Sequence, residues 1–314
     1  MTTLEMAIDP FAKKEYGKRA QESVPLSVDD KSLSYNLNLY SDFIANRMPI
    51  NVFSENDLLN ARSKVSKLEL MVLNKIQIAA FFSKALQNRN ELEHSYDENN
   101  TYLCLFLTRM IKDSYATGHN GFEISAPEEK LYYLGDHLKG TKDSPLEITV
   151  SAQLLVDSFE HAEHIKASVH APAMTPGDKS SHSIFMLYQD AAKVGNKVDH
   201  CSYEIQGNVT FSLGERSVDS KFKVHGSTSH IPSESIRSKF MIYGNVLDHT
   251  PLKLRECEFW LYGSVSEFGL VNPVKTIFYV AQKKAYKMIK KKIGFWPRIL
   301  GTNSVYRIKD RSSC

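Results

Sequence analysis

Three histidines, His164, His182 and His200, are evenly spaced along the chain, and His161 lies beside the first of them. Imidazole is the commonest protein ligand for zinc and related metals. A structure that returned to one column at that interval would stack the three rings about 5 Å apart, close enough to share an ion. Equal spacing also gives parallel side chains, whereas a tetrahedral ion needs converging ones, so a solvent-facing row of like residues is the competing reading. The remaining histidines form no triad. The chain has no Gly-x-Ser-x-Gly elbow, phosphate loop or dinucleotide glycine fingerprint. Cys104, Cys201, Cys257 and Cys314 show no metal-ligand spacing. These absences point away from an enzyme and toward no cofactor, with a metal-dependent enzyme on the histidine wall as the alternative.

The elements that would position the histidines repeat with the same period. Seven pentapeptides end at Ala152, Ala171, Gln189, Gly207, Gly226, Gly244 and Gly263, a nearly constant step from each to the next. Their third positions are Val150, Val169, Leu187, Ile205, Val224, Ile242 and Leu261, and their first positions are Ile148, Ala167, Phe185, Tyr203, Phe222, Phe240 and Phe259. Apolar columns two residues apart share one face of a strand. Returning every strand in the same sense excludes hairpins and predicts a parallel β-helix, one turn per repeat. A hexapeptide helix would need aliphatics six positions before each third residue. Only Val218 and Ile236 qualify there, beside Ser144, Glu163, Ser181, Asp199 and Arg255. Glycine in the last column suggests a corner with an open backbone angle. The outward column with Tyr188, Tyr243 and Tyr262, flanked by Met186, Met241 and Trp260, suggests a wall that something covers.

The rungs Phe240-Met-Ile-Tyr-Gly-Asn-Val246 and Phe259-Trp-Leu-Tyr-Gly-Ser-Val265 resemble those of the GXGXG β-helix, the domain that closes the large subunit of glutamate synthase and occurs in a formylmethanofuran dehydrogenase subunit. The likeness is nearest to stand-alone archaeal proteins of this type. In those a leader like Tyr133-Leu-Gly-Asp-His-Leu-Lys-Gly140 precedes the rungs, and a basic helix ending like Gly294-Phe-Trp296 follows. It runs from about Gly121 to Lys309, although the second glycine of each unit is mostly missing here. The resemblance implies a structural spacer with no catalytic residues.

The fold class expected is α+β: a helical domain, a single-stranded parallel β-helix of seven to eight rungs, right-handed by default, and a C-terminal basic amphipathic helix. The divisions are 1–30, a loosely ordered leader; 31–120, helical; 121–270, β-helix; 271–296, basic helix; and 297–314, a tail. Ser54, with Glu55 and Asp57 behind it, is a helix N-terminus, and Tyr102–Tyr115 reads as a second helix. Phe122-Glu-Ile-Ser-Ala126 reads as an incomplete first rung, with Glu128–Gly140 looping out.

From Pro273, the apolar residues Ile277, Phe278, Ala281, Ala285, Met288, Ile289 and Ile293 suggest one helix face, docked on the tyrosine wall. Lys283, Lys284, Lys287, Lys290, Lys291 and Lys292 occupy the other faces and are the candidate polyanion contacts. Residues 273–314 carry net +10 in a chain of net +3, so the remainder carries −7.

Partners are expected to be proteins or further copies of the chain, with polyanion contact through the basic segment. No apolar run reaches the ~20 residues of a membrane span. The start, Met1-Thr-Thr-Leu-Glu5, lacks the pattern of a secretory signal, and unpaired cysteines suit a cytoplasmic setting.

Overall fold

The computed structural model describes residues 31–46, 50–52, 54–88, 96–247, 253–267, 269, 273–293 and 303–308. The leader 1–30, the Gly294-Phe295-Trp296 ending and most of the tail lie outside the described residues.

Four helices come first: α1 (Lys31–Asn46), α2 (Glu55–Ser66), α3 (Lys75–Asn88) and α4 (Tyr96–Ala116). Helix α1 buries Leu33, Asn36, Tyr40 and Ile44, a spacing of three and four that keeps one stripe on the core. Ser54 caps α2, its side chain accepting from the Asp57 amide. The apolar run from Leu68 to Leu86 is not one helix, because a capping box interrupts it. Asn74 accepts from the amides of Ile76 and Gln77, and Gln77 accepts in return from the Asn74 amide. Buried Asn36 both donates to and accepts from the Met71 backbone, which satisfies the extended segment between α2 and α3.

A thirteen-stranded, all-parallel sheet follows, coiled into a solenoid of about seven turns. One wall is a continuous ladder of β1 (Phe122–Tyr132), β2 (Leu146–Val156), β3 (Ile165–His170), β5 (Ile184–Leu187), β7 (Ser202–Ile205), β9 (Lys221–Val224), β10 (Lys239–Ile242), β11 (Glu258–Leu261), β12 (Ile277–Val280) and β13 (Ser304–Arg307). The second wall holds β4 (Ala173–Met174), β6 (Ala191–Val194) and β8 (Val209–Leu213), continued by bridges through Thr228, Val246 and Val265. The third is a column of single-residue bridges, Lys139–Glu163–Ser181–Asp199–Val218–Ile236–Arg255–Val274. The polar residues that spoke against a hexapeptide pattern, Glu163, Ser181, Asp199 and Arg255, therefore lie on this third wall.

Each short strand of the first wall buries alternate residues. Inside it Phe185, Tyr203, Phe222, Phe240, Phe259 and Phe278 stack at centroid separations of 4.7 to 5.1 Å. The Tyr203 hydroxyl within this stack donates to the Gly177 carbonyl, so it is not left unpaired. A second inner column is small and polar: Ser183, Cys201, Ser220, Ser238, Cys257 and Thr276, all buried. Each bonds back to the carbonyl two residues earlier, and Ser183, Ser220 and Ser238 also accept an amide from the preceding turn.

The corners differ from expectation. Gly207, Gly226, Gly244 and Gly263 do not lie in the left-handed region. Glycine is required there because a Cβ on Gly226 would strike the Gly207 carbonyl, one on Gly244 the Gly226 carbonyl, and one on Gly263 the Gly244 carbonyl. Left-handed corners lie in other columns, among them His161-Lys179-Lys197-Arg216-Glu234-Lys253 and His164-His182-His200-Asp219-Arg237-Glu256-Lys275, with φ between 47° and 57°, and Gly177, Gly195 and Gly214, with φ between 63° and 72°. Such a conformation is uncommon outside glycine and is somewhat easier for His, Asn and Asp.

Both ends of the solenoid depart from the sequence reading. Strand β1 does not loop out after Ala126; it resumes past a bulge, and Lys130–Tyr132 pair with Leu154–Val156. At the far end Ile277 and Phe278 lie on β12, not on a helix, and Ala281 follows that strand. Phe278 stands one repeat beyond Phe259 and stacks on it, so the ladder runs a further step and tertiary stacking overrides the helical spacing. The helix, α5 (Lys283–Ile293), begins at Lys283 and buries Ala285, Ile289 and Ile293 against β12 and β13. It packs at the end of the stack, not on the wall of Tyr243 and Trp260. There the rings stack on each other instead: His225 on Tyr243, Tyr243 on Tyr262, Trp260 on Tyr279 and Tyr279 on Tyr306. Helices α3 and α4 pack on β1 and close the first end.

Candidate functional site

His164, His182 and His200 form the column their spacing predicts. Each sits at a left-handed corner that turns the chain from the third wall into the first. The ring centroids of His164 and His182 are 4.9 Å apart with planes at 36°, and those of His182 and His200 are 5.0 Å apart with planes at 6°. A zinc ion holds each nitrogen at about 2.0–2.1 Å, so two nitrogens on one ion lie within about 4.2 Å. The His182 and His200 rings are near-parallel and stacked, as in a column of like residues, while the His164 ring is tilted against His182. Asp199, His200 and Asp219 bring one ligand atom each within 4.8 Å of the others. Asp219, however, is already gripped by Nε and Nη2 of Arg237 at 2.7 and 2.6 Å, which hold its carboxyl below the usual range. Asp199 is hydrogen-bonded to Nδ1 of His200 at 2.8 Å. The cluster is already partnered within the chain.

The column lines a groove of about 910 Å³ together with Ile184, Ser202, Lys142, Lys166 and Lys221. These three lysines were not singled out from the sequence. Lys166 and Lys221 share one column of the first wall with Ile184 and Ser202, and the rung alignment already contained them.

A second cluster has no counterpart in the sequence reading. Asp136 is buried at the seam between the helices and the solenoid, with 1 % of its side chain exposed, and Nη2 of Arg62 from α2 donates to it. The Glu160 amide donates to its other oxygen at 2.9 Å. Burial pushes the Asp136 carboxyl up, opposed by Arg62 and that amide. Nη1 of Arg62 also lies 3.2 Å from Nε2 of His137, whose ring stacks on His161 at 4.8 Å. Burial, then Arg62, pushes the His137 imidazole down. Glu160 takes the Lys179 ammonium at 2.6 Å and is held below its usual range, although burial opposes this. The interval from His137 to His161 is longer than that from His161 to Lys179, so the longer first turn hides the register of this column.

The lysines of α5 are all exposed, and none has a carboxylate partner among the described residues; Lys290 lies over the Tyr286 ring at 5.5 Å. Cys104, Cys201 and Cys257 are free and buried. No described helix is long and apolar enough to cross a membrane.

No family model, curated protein or solved structure matches the chain.

Proposed function

We propose that this chain is a non-catalytic interaction protein, a β-solenoid scaffold that holds the lysine face of α5 toward a polyanion. The observation that carries the reading is the division of α5 into two faces. Ala285, Ile289 and Ile293 are buried on the solenoid end, while Lys283, Lys284, Lys287, Lys290, Lys291 and Lys292 all face solvent without a carboxylate partner among the described residues. A helix whose apolar face is already occupied cannot lay that face into a lipid surface. Its fixed ammonium groups suit the phosphate backbone of a nucleic acid, contacted without regard to sequence. The resemblance to the GXGXG β-helix, a spacer in its better known settings, favours the same non-catalytic role. Right-handed winding and a reducing, cytoplasmic setting are part of the proposal, the latter favoured by three buried free thiols.

The test is fluorescence anisotropy with a labelled duplex oligonucleotide. Binding is expected to weaken steeply between about 50 and 200 mM salt, in the manner of counterion release. It is expected to vanish in a Lys287→Glu, Lys290→Glu, Lys291→Glu variant that melts like the parent. Binding that ignores salt, or survives the triple charge reversal, sinks the reading.

A further inference from the structure

The last rung departs from the pattern of those before it. Its strand, β13, lies at the edge of the sheet and pairs with β12 on one side. Arg307 pairs with Val280, which places it in the inward column that reads Val224, Ile242, Leu261 and Val280 in the preceding turns. Those four aliphatics are buried, whereas Arg307 is exposed and has no carboxylate partner among the described residues. A cation can stand at this core position because no described turn is stacked on it. Of the carboxylates in the last rungs, Glu256 pairs with Arg255 and Glu258 with Lys239.

Tyr306, one residue earlier, points to the opposite face of the strand. It closes the outward column of Trp260, Tyr279 and Tyr306, whose centroids are 4.1 and 5.4 Å apart with planes at 20° and 21°. One face of Tyr306 lies on Tyr279, and the other carries no ring among the described residues. The residue is 52 % exposed. Helix α5 packs on the same two strands, β12 and β13, but its Ala285, Ile289 and Ile293 join the core of Phe278 and Val280 on their inner side. The outer side, where Tyr306 stands, is left open. The end of the solenoid thus brings together an open aromatic face, an exposed guanidinium and the lysines of α5.

We infer that the polyanion received at this end is a single-stranded nucleic acid, its phosphates on Arg307 and α5 and an unstacked base on Tyr306. The inference rests on the polyanion role proposed for α5 and narrows it. Cations alone would suit any polyanion, and an aromatic face alone would suit many apolar partners. Together they select a strand that exposes both phosphates and rings. A duplex offers the phosphates but keeps its bases paired and stacked within itself. Stacking on an aromatic side chain accepts every base, in keeping with phosphate contacts that carry no sequence information.

The probes are labelled single strands of about twelve nucleotides, one of thymidylate and one of uridylate, and a duplex of the same length, each titrated with the full chain and read by anisotropy. Single strands are expected to bind on the order of tenfold tighter than the duplex. The two sugars show whether DNA or RNA is preferred, and a single-strand advantage in either supports the inference. Tyr306→Thr, a β-branched residue suited to the strand, should remove that advantage and leave duplex binding as in the parent, which also shows that the variant is folded. Tyr306→Phe, which keeps the ring, should retain the advantage. Arg307→Gln should weaken single strand and duplex alike and lower the salt slope by about one. Single strands that bind no tighter than the duplex, or an advantage that survives Tyr306→Thr, would overturn the inference while the polyanion role of α5 stands. Failure of all three probes to bind the parent would remove both.

Discussion

Arg62 on α2 and Asp136 in the first turn of the solenoid form an ion pair across the seam between the helices and the β-structure. The carboxylate is almost wholly buried, while 23 % of the Arg62 side chain stays exposed. Removing one member of a buried pair leaves the other charge stranded, which typically costs about 3–5 kcal/mol. Arg62→Ala should therefore lower the urea midpoint strongly at neutral pH.

The same pair has a pH signature whose sign follows from Asp136. Burial raises its folded pKa above the ordinary 3.8, so the folded state holds that proton more tightly than the unfolded chain. Stability from this group is present below the unfolded pKa and is lost as pH rises through the folded one. Without Arg62 the carboxyl is raised further. The stability gap between parent and Arg62→Ala should thus narrow as pH falls toward about 4. A gap that stays constant with pH would show that the variant's loss is one of packing alone.

Ile242 and Tyr243 are neighbours on opposite faces of the wall. Ile242 is fully buried and in register with Val224 and Leu261, whereas Tyr243 is half-buried between the rings of His225 and Tyr262. Ile242→Asp should cost several kcal/mol by burying an unpaired carboxyl. Tyr243→Asp should cost much less, and thermal melts by circular dichroism compare the two directly.

Ser238 tests the inner polar column. Its hydroxyl donates to the Ile236 carbonyl at 3.0 Å and accepts the Ser220 amide at 3.2 Å. Ser238→Ala leaves that amide without this acceptor and should cost about 1–3 kcal/mol. Ser238→Cys should be milder, since Cys201 and Cys257 occupy the same column and bond to the carbonyls of Asp199 and Arg255. Equal losses for the two variants in urea unfolding would contradict the hydrogen-bonding role.

Burial pushes the thiols of Cys104 and Cys201 up to about 12 and that of Cys257 up to about 11. The thiolate is the reactive form. These three cysteines should resist a thiol reagent at about pH 8 in the native protein and label promptly in denaturant. Mass spectrometry of the labelled peptides distinguishes them from Cys314.

A nearly constant repeat length made the solenoid legible, because like residues must stack once the chain returns to the same place. It also announced the histidine column correctly. The step from Phe259 to Phe278 carried the same signal, yet the spacing of Ile277, Phe278 and Ala281 also satisfies a helix, and short apolar runs fit both periods. The glycine column was visible, but whether it serves an open backbone angle or a close carbonyl approach depends on the neighbouring turn. Arg62 and Asp136 could not be read at all: they lie far apart in the chain, on elements related by no repeat, and only packing brings them together. Lys142 belongs to an insertion whose place along the column depends on the pairing of Lys139 with Glu163.

The continuous ladder of the first wall makes the solenoid a gauge. The seam of Arg62 and Asp136 marks one end, and α5 marks the other. Between them the separation is set by the number of rungs alone, each contributing about 4.8 Å. Because Phe222, Phe240 and Phe259 stack on equivalent neighbours, excising one turn between matching positions would rejoin like to like. The protein's reach could thus lengthen or shorten in fixed increments while both ends keep their structure.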